Sequence, residues 1–406
     1  MFLWKKVFFI ALLASLCFSL NAHAFDFEFN GATSTMGGLA YGNKSKFITK
    51  QKHTGDLTLK QNVNMYFSPD VGLTSYVNAD FSLNTKTGFG FNFNELYIAW
   101  ETNDKGNYYF GRRNRQSTVA QIFPLCNVLN NNYAAVEAEL TNNKWITFNG
   151  GFYYDFAGNP DIKNFNLMLI TNMYNDFISY TVATYELHLL DIPEGSFENL
   201  FHPNIFKQNL ETYQNNIEFV TAQTVTLNLG SCALYGELFV RTNPLKYKVS
   251  NNELVFAGKK GYFDGTLGFA YGNDILDLAF EYCYAMSGYD HNEIAAINTL
   301  LEQNNTELDK IRAKGPIFFK NNIGLSLAFN IGENLVLGVG DKVTFPQYGC
   351  DPSYIGTSFY VKGNYTYNDN LSFDCIIEGA AGGKNSEFTL YNKNIASLKF
   401  GAKLSY

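Results

Sequence analysis

Ile395-Ala-Ser-Leu-Lys-Phe-Gly-Ala-Lys-Leu-Ser-Tyr406 closes the chain, and its period decides the fold. Leu398, Phe400, Ala402, Leu404 and Tyr406 share one parity, while Ser397, Lys399, Gly401, Lys403 and Ser405 share the other. Successive side chains of a strand point to opposite faces, so one face is apolar and the other carries two lysines. A strand of a soluble sandwich can look the same. Recurrence along the whole chain and an aromatic last residue distinguish a membrane barrel.

The pattern recurs. Leu73, Val77, Ala79, Phe81 and Leu83 alternate with Thr74, Tyr76, Asn78, Asp80 and Ser82, and Phe359, Val361, Gly363, Tyr365 and Tyr367 alternate with Tyr360, Lys362, Asn364 and Thr366. The apolar parity is expected to face lipid, where a Lys or Arg at mid-depth costs about 2–4 kcal/mol. Lys362, Lys399 and Lys403 all avoid it. Strands are expected near 25–40, 56–68, 71–84, 90–102, 106–115, 131–141, 145–156, 164–173, 177–187, 214–228, 231–242, 261–272, 275–287, 321–332, 335–346, 357–369, 371–382 and 394–406. That is 18 strands, or 16 if the Phe25 segment or the 131–141 segment is not one. Short Gly/Asn/Asp turns, such as Asn368-Asp-Asn370, alternate without exception with longer connections such as 188–213 and 288–320. Tight hairpins need residues that accept positive φ. Short turns on one side and long loops on the other are what an antiparallel up-and-down transmembrane β-barrel requires. The fold expected is therefore all-β, one barrel over 25–406.

Composition agrees. Charged residues make up 17%, against 37 Phe and 27 Tyr, below the roughly 25% charge of ordinary soluble domains. Lys5-Lys6, an apolar run from Val7 to Leu20 and Ala22-His-Ala24 have the layout of a secretory leader cut after Ala24,. Losing Lys5 and Lys6 moves the formal charge from -7 to -9. An acidic chain with no basic cluster is a poor nucleic-acid binder. Cys232, Cys283 and Cys375 fall in strand-like segments and form no zinc or disulfide framework, whereas Cys126 and Cys350 fall in expected loops and leave a bridge open,. Asn292–Glu302 has helix-forming residues with apolar spacing and reads as a short helix in a long loop,.

At Phe110-Gly111-Arg112, where the Glu95–Arg115 hairpin ends, the chain resembles the general porins of Gram-negative outer membranes. That resemblance implies a loop at 116–130 folding into the pore and a constriction arginine at Arg112, with Arg113 and Arg115 beside it. Parity alone leaves open whether Arg112 or Arg113 points inward. Residues 116–130 hold no acid, and the nearest are Glu137 and Glu139; arginines without opposing acids predict a weak anion preference. Asp80, Glu101, Glu237, Asp277, Glu281, Lys362, Glu378 and Lys399 are further lumen-wall candidates, and Tyr66, Tyr76, Tyr97 and Tyr360 share the lumen parity. The resemblance further implies that Tyr406, with Leu404 and Phe400, is an assembly signal read by the barrel assembly machinery. It implies a homotrimer set among outer-membrane lipid and lipopolysaccharide.

The function expected is passive diffusion of small hydrophilic solutes. A sugar-type specific channel and an adhesive surface barrel with functional loops are the alternatives. Histidines 53, 188, 202 and 291 fall in expected loops, none beside a nucleophile motif, so no enzyme is expected. No cofactor or metal motif occurs.

Overall fold

The computed structural model describes residues 25–42, 52–69, 72–102, 106–113, 118–125, 134–143, 146–154, 165–174, 178–189, 217–241, 246–256, 261–303, 311, 318–390 and 396–406. The expected leader, Arg115 and Cys126 lie outside them.

Twenty strands form. They are β1 Phe25–Gly42, β2 Lys52–Pro69, β3 Leu73–Asn84, β4 Gly88–Thr102, β5 Gly106–Arg112, β6 Ala134–Asn143, β7 Ile146–Tyr154, β8 Phe165–Tyr174, β9 Ile178–Leu189 and β10 Ile217–Leu229. Then follow β11 Cys232–Arg241, β12 Tyr247–Ser250, β13 Glu253–Phe256, β14 Tyr262–Gly272, β15 Leu276–Ala285, β16 Asn321–Ile331, β17 Leu335–Phe345, β18 Gly356–Asn368, β19 Leu371–Gly382 and β20 Ala396–Ser405. Eighteen of them build one antiparallel sheet, each strand pairing with its neighbours in sequence. β1 pairs with β20 from Ala32↔Ser405 to Tyr41↔Ala396, and that pairing closes the ring. The alternative of sixteen strands falls, because β1 is paired on both edges and β6 pairs with β5 and β7. The pair β12–β13 is a separate hairpin inside a long loop, which the periodicity did not announce.

The parity reading holds along the sheet. Leu267, Phe280, Leu325, Phe359, Val361 and Phe400 stand on the outer face at 41–70% exposure. Trp100 and Tyr108 stack 5.8 Å apart at the short-turn end, as an interfacial aromatic girdle does,. One carboxylate departs from the pattern. The register puts Asp341 opposite Leu325 and Phe359 on the outer face, where it accepts a 2.6 Å hydrogen bond from Thr357 Oγ1. Eight connections at one end span two or three residues, for example 70–72, 230–231 and 369–370. The other end carries the long loops.

The only extended buried apolar cluster among the described residues lies in those long loops, because the barrel has a polar interior. Helix α1, His291–Gln303, buries Ile294, Ile297, Leu300 and Leu301 along one stripe,. They pack with Leu254 of β13, Tyr289, Phe319, Tyr354 and Leu390, so four loops share one cap. Asp290 caps α1: its carboxylate accepts from Glu293 N at 2.9 Å, and Glu293 Oε2 accepts from Asp290 N at 2.9 Å, a reciprocal capping box. Lys320 Nζ adds an ion pair to Asp290 at 2.8 Å, and Lys246 Nζ one to Glu293 at 2.7 Å. His53 and His188, expected in loops, lie in β2 and β9; His291 opens α1.

Two outcomes follow from this architecture. Val361→Lys is expected to cost about 2–4 kcal/mol in urea titrations of the barrel in lipid vesicles, whereas Lys362→Ala, one residue on and facing inward, should cost far less. Asp290→Ala should raise hydrogen exchange across α1, with a local cost of about 1–2 kcal/mol. Burial works against Asp290 ionising, but the hydrogen bonds from Lys320 and Glu293 N outweigh it and hold the carboxyl below its ordinary 3.8. A depressed folded-state pKa stabilises above the unfolded value and stops doing so as pH falls through the lower one. The cap should therefore loosen in acid below about pH 4 and not near neutrality.

Candidate functional site: the lumen and its inward loop

A carboxylate on the lumen face of a strand needs a donor once water is displaced. Glu237 of β11 and Glu281 of β15 are both buried; the loop after β5 brings backbone donors to them, and the Tyr235 hydroxyl donates to Glu281 at 2.7 Å. Glu237 Oε1 accepts from Val119 N at 2.6 Å and Ala120 N at 2.8 Å, and also from the Thr118 hydroxyl. Its Oε2 accepts from Leu125 N at 2.7 Å. Glu281 accepts from Gln121 N at 2.5 Å, Ile122 N at 3.0 Å and Phe123 N at 2.7 Å. The carbonyls are met too: Thr266 Oγ1 donates to Phe123 O at 3.0 Å, and Lys342 Nζ to Ile122 O at 3.1 Å. Gly324 of β16 leaves the hollow that seats the loop, since a Cβ there would lie 2.5 Å from Ile122 Cγ2. Residues 118–125 thus lie inside the ring against β11 and β14–β17. The two glutamates, expected from sequence as lumen-wall candidates, lie on the inward face and bind this loop.

Counting from β15 through β16, β17, β18, β19, β20, β1, β2 and β3, the ninth strand is β4. In an 18-strand ring β4 is directly across from Glu281. Its neighbourhood carries the other polar cluster. Gly111, at φ 125°, brings its Cα so close to the Leu96 carbonyl that a Cβ would clash, which makes glycine the residue for that position. Register then pairs Arg112 with Leu96 and Ala134, the parity of the exposed Phe110 and Val136. Arg113 is the inward one. Its Nη2 lies 3.2 Å from Glu137 Oε1 and 3.7 Å from Glu139 Oε2, and its guanidinium stacks 3.6 Å over the Tyr109 ring. Arg112, the position the resemblance implied, therefore has the outer-face register.

The remaining candidates separate. Asp80 pairs with Lys60 at 2.7 Å and Glu378 with Lys399 at 2.8 Å, on different arcs of the wall. Glu101, Asp277 and Lys362 face inward by register and form no ion pair among the described residues. Of the inward tyrosines, Tyr76 and Tyr97 lie 5.5 Å apart, and Tyr360 meets Ser326 Oγ at 2.7 Å. Tyr406 pairs its backbone with Gly31 at 2.9 and 3.0 Å, and its hydroxyl accepts from Gln61 Nε2 at 3.0 Å. Leu404 and Phe400 face outward, 50% and 57% exposed. Cys350 has no disulfide partner among the described residues, and Cys126 lies outside them.

Sequence reasoning passed over an asparagine lattice between β1 and β4. Asn62 Nδ2 reaches Asn78 Oδ1 at 3.0 Å and Asp80 Oδ1 at 2.8 Å, Asn64 Nδ2 reaches Asn30 Oδ1 at 2.9 Å, and Asn94 Nδ2 reaches Asp80 Oδ2 at 2.6 Å. Its signal was present as asparagine at every second position of Asn62, Asn64 and of Asn92, Asn94.

The double set of backbone bonds predicts a defined response. Glu281→Gln replaces one acceptor oxygen with a donor aimed at Phe123 N or Gln121 N. It should expose 118–125 to limited proteolysis at least tenfold faster, with the barrel's circular dichroism unchanged, since hydrogen bonds to a charged group contribute about 1.5–3 kcal/mol each.

No family model matches the chain, and no curated protein matches it in sequence. Solved structures match over nearly the whole length. OccAB1 of Acinetobacter baumannii is 10% identical with TM-score 0.58, covering 93% of this chain and 96% of its own. OprD of Pseudomonas aeruginosa is 8% identical with TM-score 0.55, covering 95% and 97%. OccK11 of the same species is 7% identical with TM-score 0.52, covering 93% and 95%. With a ring of 18 strands, an inward loop and these neighbours, the chain has the β-barrel fold of the Gram-negative outer-membrane porins.

Proposed function

We propose that the chain is an outer-membrane porin, a water-filled channel through which small hydrophilic solutes and ions diffuse passively. The observation that carries it is the inward loop pinned to one half of the wall, opposite a wall of Tyr97, Tyr109, Arg113 and the asparagine lattice. A loop held aside by buried carboxylates narrows a lumen while leaving the facing half polar and wet. On this reading the leader is removed after Ala24, and β1 begins the mature chain.

The ion preference moves away from the anions expected from sequence. Arg113 is matched by Glu137 and Glu139. Asp26, Glu28, Glu101, Asp277 and Asp374 face inward with no ion pair among the described residues, against Lys362 and Lys403 on the same face. A lumen with surplus carboxylates concentrates cations.

Planar-bilayer recording of the refolded chain from Phe25 tests this. Stepwise, open currents with a weakly cation-selective reversal potential in a salt gradient are expected. Arg113→Ala, which removes a positive charge from the lumen, should move the reversal potential further towards cations. A folded barrel that stays silent would overturn the channel reading in favour of a plugged or adhesive surface protein.

A further inference from the structure

Five lumen carboxylates are engaged by the wall or by the inward loop. Asp80 has Lys60, Glu137 has Arg113, Glu378 has Lys399, and Glu237 and Glu281 hold the loop. Asp26 and Glu28, at the start of β1, are exposed and have neither an ion pair nor a side-chain hydrogen bond among the described residues. They share a cavity of about 380 Å³ with Asn30, Asn64, Tyr66 and Tyr76. The register sets Glu28 opposite Tyr66, Asn30 opposite Asn64 and Tyr66 opposite Tyr76, all on the inward face at the short-turn end.

The walls of this cavity are held in place without using its charges. Asn64 Nδ2 donates to Asn30 Oδ1 at 2.9 Å, and Asn64 Oδ1 accepts from Tyr76 OH at 3.3 Å and Asn78 Nδ2 at 2.5 Å. Both the amides and the Tyr76 ring are therefore oriented before any solute arrives, which lowers the ordering cost of binding. The aromatic row continues from Tyr76 to Tyr97 at 5.5 Å and from Tyr97 to Tyr109 at 6.1 Å. At its far end the molecule carries a guanidinium of its own on a ring face, Arg113 over Tyr109 at 3.6 Å. Tyr66 and Tyr76 offer the same ring chemistry with two unmatched carboxylates beside it.

We propose that this cavity is a binding site for organic cations, an ammonium or guanidinium group borne on a short apolar body. The carboxylates attract the charge and accept its N–H groups, the tyrosine faces take the cation and its apolar stem, and Asn30 Oδ1, which accepts only from Asn64 among the described residues, has a lone pair for one further N–H,. Two carboxylates exclude an anion. A bare metal ion is a poor fit, since it wants six or more oxygen ligands in a closed shell, and no group of three or more His, Cys, Asp or Glu side chains converges among the described residues. The site rests on the lumen being open to water from the short-turn end, as the channel reading holds.

Ethylguanidinium chloride is the probe, applied to the refolded chain from Phe25 in two separate measurements. Saturation-transfer NMR in micelles reads binding, and brief blockades of single-channel current, with the probe on the short-turn side, read occupancy of the lumen. Wild type is expected to show both. Asp26→Asn with Glu28→Gln should weaken binding about tenfold, or 1.4 kcal/mol, and Tyr76→Leu should weaken it several-fold. Neither carboxylate has a contact to lose, so the double variant should keep its fold. Sodium acetate should give no transfer. Equal binding by wild type and the double variant, or acetate binding as well as the cation, overturns the site. A chain that conducts but neither binds nor is blocked by ethylguanidinium also overturns it and leaves the channel standing. A chain that binds and never conducts supports the site and overturns the channel.

Discussion

A chain that crosses hydrocarbon must hydrogen-bond every backbone N–H and C=O within itself, because no water is there to do so. Everything else in this molecule depends on that constraint. Strands satisfy it only when the sheet has no free edge, so the pairing of β1 with β20 is what makes the other seventeen pairings admissible. Closure also sorts the side chains. Each strand has one face in lipid and one in the lumen, so the outer wall can carry Leu267, Phe280 and Phe400 exposed while the inner wall carries amides and carboxylates.

The same constraint explains where the molecule places its buried charge. A segment entering the lumen brings unpaired backbone N–H groups with it, and helix or sheet partners are not on offer there. Glu237 and Glu281 answer six N–H groups between them across 118–125, and Glu281 takes one more donor from the Tyr235 hydroxyl at 2.7 Å. The arrangement is mutual, and Gly324 and Lys342 supply its shape and its carbonyl partner. Outside the membrane the ordinary rule returns. There water is excluded by packing, and α1, the β12–β13 hairpin and two further loops bury Ile294, Tyr289, Phe319 and Leu390 in a conventional apolar core.

How much of this was legible in the sequence differs by level. The eighteen wall strands were legible to within about four residues at each end, because lipid on one side and water on the other imprint a period of two that loops interrupt. Helix α1 was legible from its apolar spacing. The hairpin β12–β13 was not, since four-residue strands carry too few alternations to register. At the site, Arg113, Glu137 and Glu139 were named but not their partnership, and Glu237 and Glu281 were named for the wall but not for the loop they hold. Parity identifies an inward carboxylate. It carries no information on what stands opposite, since that partner lies more than a hundred residues away, as Val119 does from Glu237.

The sequence by itself determined that the wall is an antiparallel barrel of about eighteen strands, which parity of each strand faces out, and which end of the barrel bears long loops. These follow from local alternation and turn chemistry, both readable within a dozen residues. Only the tertiary structure decided that Arg113 and not Arg112 turns inward, that two wall glutamates hold the loop, and that Asp26 and Glu28 are left unmatched. Those outcomes depend on ring closure, which sets distant strands across a lumen from one another, and on which donors remain once the backbone has been satisfied.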